Sequence, residues 1–185
     1  VGLLLPPMGP AVSRNVLVPL IVACALFMEN MDSTVLATSL PVIARDLSVD
    51  PIALKLALTS YLVSLAVFIP VSGWMADRFG ARTIFRTAIL IFMAGSLLCA
   101  MANSLAWFVF ARFVQGMGGA MMVPVGRLVI LRTVPKAQMV QALAYLTIPA
   151  MIGPVVGPPL GGFISTFFDW RWIFFINIPI GLVGI

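Results

Sequence analysis

The chain contains no histidine and very little charge. Only 9% of its residues are charged while 62% are hydrophobic, and its mean hydropathy is +1.13. Without histidine, an imidazole metal site and imidazole acid–base catalysis are excluded within this sequence. Soluble domains are about one quarter charged, so this composition argues strongly against a water-soluble protein.

Cysteine is also scarce. Cys24 and Cys99 each stand alone in an apolar run, without a second ligand at metal-binding spacing, and we interpret both as small lipid- or core-facing residues. The sequence contains neither a visible nucleophile–base pair nor a metal cluster, which predicts that the protein is not an enzyme and binds no metal. The net charge of +5 comes from scattered residues and forms no patch, so we expect no nucleic-acid partner.

Long apolar runs dominate what is present. A spanning helix needs about 20 mostly apolar residues, so 185 residues hold at most about six spans. The runs cover 16–40, 52–75, 83–102, 105–131, 139–167 and 172–185. They predict an all-α membrane protein with five complete spans and a truncated sixth. A start without methionine and a stop inside an apolar run indicate a fragment.

The basic residues indicate how the spans are oriented. Counted over alternate connections, seven basic residues lie on one side and three on the other. The first set is Arg14, Arg78, Arg82, Arg86, Arg127, Arg132 and Lys136, and the second is Arg45, Lys55 and Arg171. The positive-inside rule therefore predicts a cytoplasmic N-terminal segment over 1–15, followed by a transmembrane bundle over 16–185.

Among the charged residues inside predicted spans, where an ionised side chain costs at least about 2.5–3.5 kcal/mol, three stand out: Glu29, Asp32 and Arg112. Glu29 and Asp32 are three residues apart and share a helix face, so one of them could exchange a proton or attract a lipophilic cation. Arg112 needs a carboxylate or carbonyl partner. Alternatives remain for each: Asp32 as a local hydrogen-bonding group at a helix break, Glu29 as a snorkelling or paired acid, and Arg112 as a structural clamp.

Two further segments have unusual composition. In the fifth run Gly153, Gly157 and Gly161 form a ridge that lets another helix approach closely, while the prolines among them predict a bend. Such a helix suits a gating hinge or a permanent seal. Residues 73–82 form a charged loop in which Gly80 permits a tight turn, and Asp77 either caps the next helix or pairs with an arginine.

Together these segments resemble the major facilitator superfamily, and in particular its drug:proton antiporters with fourteen spans. Residues 32–41 look like the first-helix motif of that group, and residues 73–82 look like the superfamily's cytoplasmic loop motif. Residues 112–120 are similar to the fourth-helix motif, and residues 153–162 resemble the fifth-helix motif of exporters. Residues 170–179 look like the entry to the sixth helix.

The resemblance implies a major facilitator fold and specific residue roles. Asp32 binds the proton or the cation, Glu29 is a second acid, and Arg112 tunes both. The other implied site residues belong to the loop motif (Gly73, Asp77, Arg78, Gly80, Arg82), the fourth-helix motif (Gln115, Gly116) and the fifth-helix motif (Gly153, Pro154, Gly157, Pro158, Gly161, Gly162). Ala81 departs from the loop pattern because a basic residue often stands there.

The resemblance further implies proton-coupled export of drugs or other amphipathic compounds across the inner membrane. The expected partners are a small-molecule substrate, protons and the lipid bilayer, with the proton gradient as energy source and no cofactor. An export-partner protein is not inferable from the sequence. Two alternatives remain: an exporter of one specific metabolite with the same fold, and a non-transporting membrane sensor.

Overall fold

The computed structural model describes residues 14–185, with side chains from residue 17 onward. Residues 1–13, most of the segment expected to be cytoplasmic, lie outside the described part. Five long helices follow one another: α1 (Arg14–Asp46), α2 (Pro51–Phe79), α3 (Ala81–Ala100), α4 (Leu105–Thr133) and α5 (Met139–Phe167). Each contains a segment long and apolar enough to cross a membrane. The prediction of an all-α, multi-pass membrane protein is confirmed.

The boundaries between helices follow local chemistry. The Asp50 side chain accepts the backbone N–H of Ile52 at 2.6 Å, which begins α2 immediately after the α1 turn. Ser104 accepts the N–H of Trp107 and begins α4 in the same way. Between α2 and α3 stands Gly80 at φ +89°, a conformation that L residues rarely adopt. The tight turn predicted at Gly80 is confirmed.

The sixth apolar run is helical over Trp172–Gly184, but a local break in its hydrogen-bond pattern divides it at Ile176, whose backbone remains helical (φ −59°, ψ −30°). A short helix α6 (Trp172–Phe175) is followed after Ile176 by α7 (Asn177–Gly184). Pro179 contributes to this break because it lacks the N–H that would bond the carbonyl of Phe175. The entry to α6 is tied to the end of α1, since the Trp170 indole donates to Asp46 at 3.0 Å.

Glycine allows α3 and α4 to pack at very short range. A Cβ atom added at Gly118 of α4 would lie 2.5 Å from the backbone N of Phe92 and 2.6 Å from the carbonyl oxygen of Ala88. A Cβ atom at Gly95 of α3 would lie 2.5 Å from the Cα atom of Gln115. Each helix therefore supplies a glycine where the backbone of the other approaches it.

The glycine ridge of α5 packs against α1, as its spacing predicts. Gly153 lies against Asn30 and Met31, and Gly161 lies against Val35 and Thr38. A Cβ atom at Gly157 would collide with the Thr34 hydroxyl. Helix α5 is continuous through its prolines, and Pro154, Pro158 and Pro159 all lie on its exposed side.

The buried apolar side chains form two separate clusters along the bundle. On α1 one cluster ends at Met28 and the other begins at Met31; on α4 one ends at Ala111 and the other begins further along at Met121. Buried polar residues occupy the level between them: Asp32, Ser96, Arg112, Gln115 and Asn177. We call these five residues, with the adjacent Glu29 and Tyr61, the polar layer.

We expect Gly118→Ala to destabilise the bundle by about 1–3 kcal/mol, because the added methyl group meets backbone atoms that cannot move aside. The matched control is Gly162→Ala, where no atom lies within 4 Å of the added group. There we expect no loss, or a gain of up to about 1 kcal/mol from helix propensity. Thermal unfolding of the detergent-purified protein compares the two, and equal midpoints would contradict the packing argument.

Candidate functional site

The polar layer is built around one ion pair between α1 and α4. Nη1 of Arg112 donates to Oδ2 of Asp32 at 2.7 Å, and the two side chains are 1% and 0% exposed. Helix α1 is continuous through Asp32, while Ser33 and Thr34 bond to the carbonyl of Asn30 one turn back. The reading of Asp32 as a local hydrogen-bonding group at a helix break is therefore wrong.

The second oxygen of Asp32 is also fully engaged. Its Oδ1 accepts from Nε2 of Gln115 at 2.9 Å and from Nδ2 of Asn177 at 3.0 Å. Asn177 also donates to the Ser96 hydroxyl, which in turn donates to the carbonyl oxygen of Phe174. One carboxylate thus connects α1, α4 and α7, and Ser96 extends the chain of hydrogen bonds to α3.

The guanidinium of Arg112 is held from several directions. It donates to Oε1 of Gln115 at 2.6 Å, and its Cζ lies 4.3 Å from the centre of the Tyr61 ring. Cys99 also donates to Oε1 of Gln115, at 3.6 Å, consistent with its interpretation as a small core residue. Stacking on an aromatic face suits arginine, whose planar cation is weakly hydrated.

Glu29 stands at the edge of this layer and is only partly buried. Its Oε1 accepts one hydrogen bond, from the Tyr61 hydroxyl at 3.3 Å. Tyr61 therefore carries the Arg112 cation on its ring and the Glu29 carboxylate on its hydroxyl. Both acids singled out from the sequence belong to one cluster with Arg112, although only Asp32 bonds to the arginine directly.

The prediction of a loop over residues 73–82 is wrong except at Gly80, because residues 73–79 complete α2 and α3 begins at Ala81. Asp77 pairs with Arg132 at the end of α4, at 2.6 Å, and both side chains are largely exposed. Of the two possibilities for Asp77 the structure shows pairing with an arginine, because the α3 N-cap is Gly80 without a side-chain bond. Arg78 lies over Trp74, with Cζ 6.0 Å from the ring centre.

The remaining motif residues fall into three environments. Gly116 lies where α4 meets α2, since an added Cβ atom there would be 2.7 Å from Cβ of Ser64. Gly73 and Gly162 have no atom near the position of a Cβ atom, and Arg82 lines a surface cavity beside Arg86. Gly153, Gly157 and Gly161 of the fifth-helix motif contact α1.

Three members of the polar layer were not predicted as site residues. Ser96 and Asn177 are polar residues inside apolar runs, and that signal alone could have identified them. Tyr61 has no such signal, since a tyrosine in a span is usually an interfacial or packing residue. Only the fold shows that its ring covers Arg112.

Long apolar helices around a buried ion pair define a polytopic membrane protein. The sequence profile of the Major Facilitator Superfamily matches residues 22–185, and the chain belongs to that family. The predicted family and fold are thereby confirmed. Membership of this family identifies a transport protein and not an enzyme.

Similar curated proteins carry the name multidrug resistance protein MdtD. The one from Klebsiella pneumoniae (strain ATCC 700721 / MGH 78578) is 49% identical over 164 residues, which cover 89% of this chain and 35% of the relative. The one from Yersinia enterocolitica is 48% identical over 164 residues, which again cover 89% of this chain and 35% of the relative. The chain thus spans about a third of the length of the curated relatives it matches.

Solved structures share the fold at low sequence identity. A D-xylose-proton symporter aligns with a TM-score of 0.79 at 15% identity, covering 91% of this chain and 46% of that one. A bacterial homologue of the human lysosomal transporter Spinster, in an inward-facing conformation, aligns with a TM-score of 0.71 at 18% identity, covering 94% and 42%. The long helices are therefore arranged as in these transporters.

We expect Arg112→Met to reduce the free energy of unfolding by about 3–5 kcal/mol, because it leaves the Asp32 carboxylate buried without its cation. Adding Asp32→Asn to that variant should recover much of the loss, since no buried charge is then stranded. Denaturant titration in detergent of the two single variants, the double variant and the wild type measures the coupling. Strictly additive losses would contradict the ion pair.

Proposed function

We propose that the chain forms part of a proton-coupled antiporter that exports drugs or other amphipathic compounds across the inner membrane. The observation that carries this proposal is the fully buried pair of Asp32 and Arg112, held at the level between two apolar clusters. Ionisable residues inside a membrane mark ion pathways and proton relays. The names of the curated relatives support a drug as substrate.

Glu29, Asp32 and Arg112 form the coupling cluster in this proposal. A proton arriving at one of the acids changes the charge that balances Arg112, and the hydrogen bonds between α1, α4 and α7 change with it. A cationic compound competes for the same negative charge. Proton and substrate then occupy the cluster alternately, which is the requirement for exchange.

The chain supplies one wall of the substrate site, because major facilitator transporters bind substrate between two helical halves near the midplane. The loop residues Asp77 and Arg78, with Gly73, Gly80 and Arg82, serve the conformational switch. The exposed pair of Asp77 and Arg132 suits that task, since such pairs contribute only about 0–1 kcal/mol and break readily. The tight packing of α5 on α1 favours a seal over a hinge at the glycine ridge.

Orientation and energy source complete the proposal. The seven-to-three excess of basic residues on one side supports a cytoplasmic N-terminus. The proton gradient is the energy source, and no cofactor takes part. The partners are the lipid bilayer, protons and a small-molecule substrate.

The test is drug-evoked proton release in inside-out vesicles that contain the complete transporter. We expect the wild type to dissipate a proton gradient on addition of drug. Asp32→Asn should lose the response, because the neutral side chain no longer balances Arg112. The matched control is Asp50→Asn, which makes the same chemical change at an exposed N-cap where asparagine serves as well as aspartate.

The outcomes separate clearly. Loss of the response in Asp32→Asn with a normal response in Asp50→Asn supports coupling through the polar layer. An equal response in all three proteins would place the coupling away from Asp32, at Glu29 or in the part of the transporter outside this chain. A wild type that never responds to any drug would reject the antiporter proposal itself.

A further inference from the structure

The polar layer is not electrically balanced. It contains two carboxylates, Glu29 and Asp32, and one guanidinium, Arg112, so with both acids ionised its net charge is −1. Helix α5 contains no acidic or basic residue over Met139–Phe167 and α7 contains none. The charged residues of α2 and α3 are all exposed: Lys55, Asp77, Arg78, Arg82 and Arg86. A charge in this setting is costly, and a proton or an external cation would remove it.

The two acids differ in how tightly they are held. Asp32 accepts three hydrogen bonds, from Arg112 at 2.7 Å, Gln115 at 2.9 Å and Asn177 at 3.0 Å, and it is 1% exposed. Its negative charge is therefore paired with Arg112, and the carboxylate is buried away from anything outside the bundle.

Glu29 is the opposite case. It is partly exposed and accepts a single bond of 3.3 Å from Tyr61. The charged and titratable groups that face it are Tyr61 from α2, Arg112 from α4 and Asp32 on its own helix. Arg112 directs its Nη1 hydrogen bonds to Asp32 and Gln115, which leaves Glu29 without a direct ion-pair partner among the described residues.

We propose that Glu29 is the carboxylate that exchanges a proton for a lipophilic monovalent cation, and that Asp32 is the fixed counter-ion that holds Arg112 beneath Tyr61. The proposal rests on the antiport function above and assigns its exchange step to one residue. The cation takes the place of the proton on the Glu29 carboxylate, and the proton leaves to water. The layer stays neutral in both states.

The test is the pH dependence of tetraphenylphosphonium binding to the complete transporter in detergent. In the wild type the affinity should fall as the pH is lowered, by up to about tenfold per pH unit, because a protonated Glu29 offers the cation no counter-charge. Glu29→Gln should bind at least about tenfold more weakly, with no dependence on pH. Glu29→Asp keeps the carboxylate and should keep the pH dependence.

A second measurement does not depend on the glutamine variant. Infrared difference spectra of the wild type should show loss of a carboxylic-acid carbonyl band when tetraphenylphosphonium binds, and Glu29→Asp should shift that band. Thermal midpoints provide the structural control: Glu29→Gln should match the wild type, because the bonds of Asp32 are untouched, whereas Asp32→Asn should unfold at a lower temperature.

The results also distinguish this inference from the proposed function. If the wild type binds the cation with pH dependence and Glu29→Gln retains that dependence, or if the infrared band is unchanged in Glu29→Asp, the assignment to Glu29 is wrong while antiport stands. If the wild type itself shows neither pH-dependent binding nor proton release with any drug, the antiport proposal fails first.

Discussion

The arrangement of the helices depends on the charge of Arg112. A guanidinium that cannot lose its proton and is 0% exposed must be given a carboxylate and hydrogen-bond acceptors from within the bundle. Asp32 and Gln115 meet that demand at Nη1, although the buried Nε has no hydrogen-bond partner, and they do so only if α1 and α4 approach closely at that level. Because removal of either partner strands a buried charge, the pair fixes the relative position of the two helices more strictly than apolar contacts do.

The glycines next to the polar layer make this geometry possible. Gly116 brings α4 onto α2, so that the Tyr61 ring lies over the guanidinium, and Gly95 and Gly118 bring α3 onto α4 near Gln115. In lipid, helices gain little from apolar burial against one another, so close backbone approach and interhelical hydrogen bonds must supply the association. The polar layer and the glycine contacts therefore stabilise the same helix–helix crossings.

The membrane spans and the charged residues of the site were predictable from the sequence. The contacts among the site residues were not, for physical reasons. The spans followed from length and hydropathy, and the three intramembrane charges followed from their cost in hydrocarbon. Which partner Arg112 takes depends on helix rotation, which hydropathy does not determine. Asn177 donates to Asp32 from the last apolar run, and a hydropathy window averages away the single polar residue that does so. Tyr61 was not predicted, because only the packing of α2 on α4 places its ring over Arg112.

Helix α4 carries two ion pairs of opposite character, and this difference suits a protein that alternates between states. Its pair with Asp32 lies in a low dielectric, where only a change in local charge can disturb it. Its pair with Asp77 is solvent-exposed, so water and salt compete for both partners and the bond reforms at little cost. Because α4 also packs closely on α2 at Gly116, the exposed pair is not what holds these two helices together, and its loss leaves their packing intact. The buried pair thus belongs to the rigid part of the bundle, whereas the exposed pair at its surface is free to exchange partners.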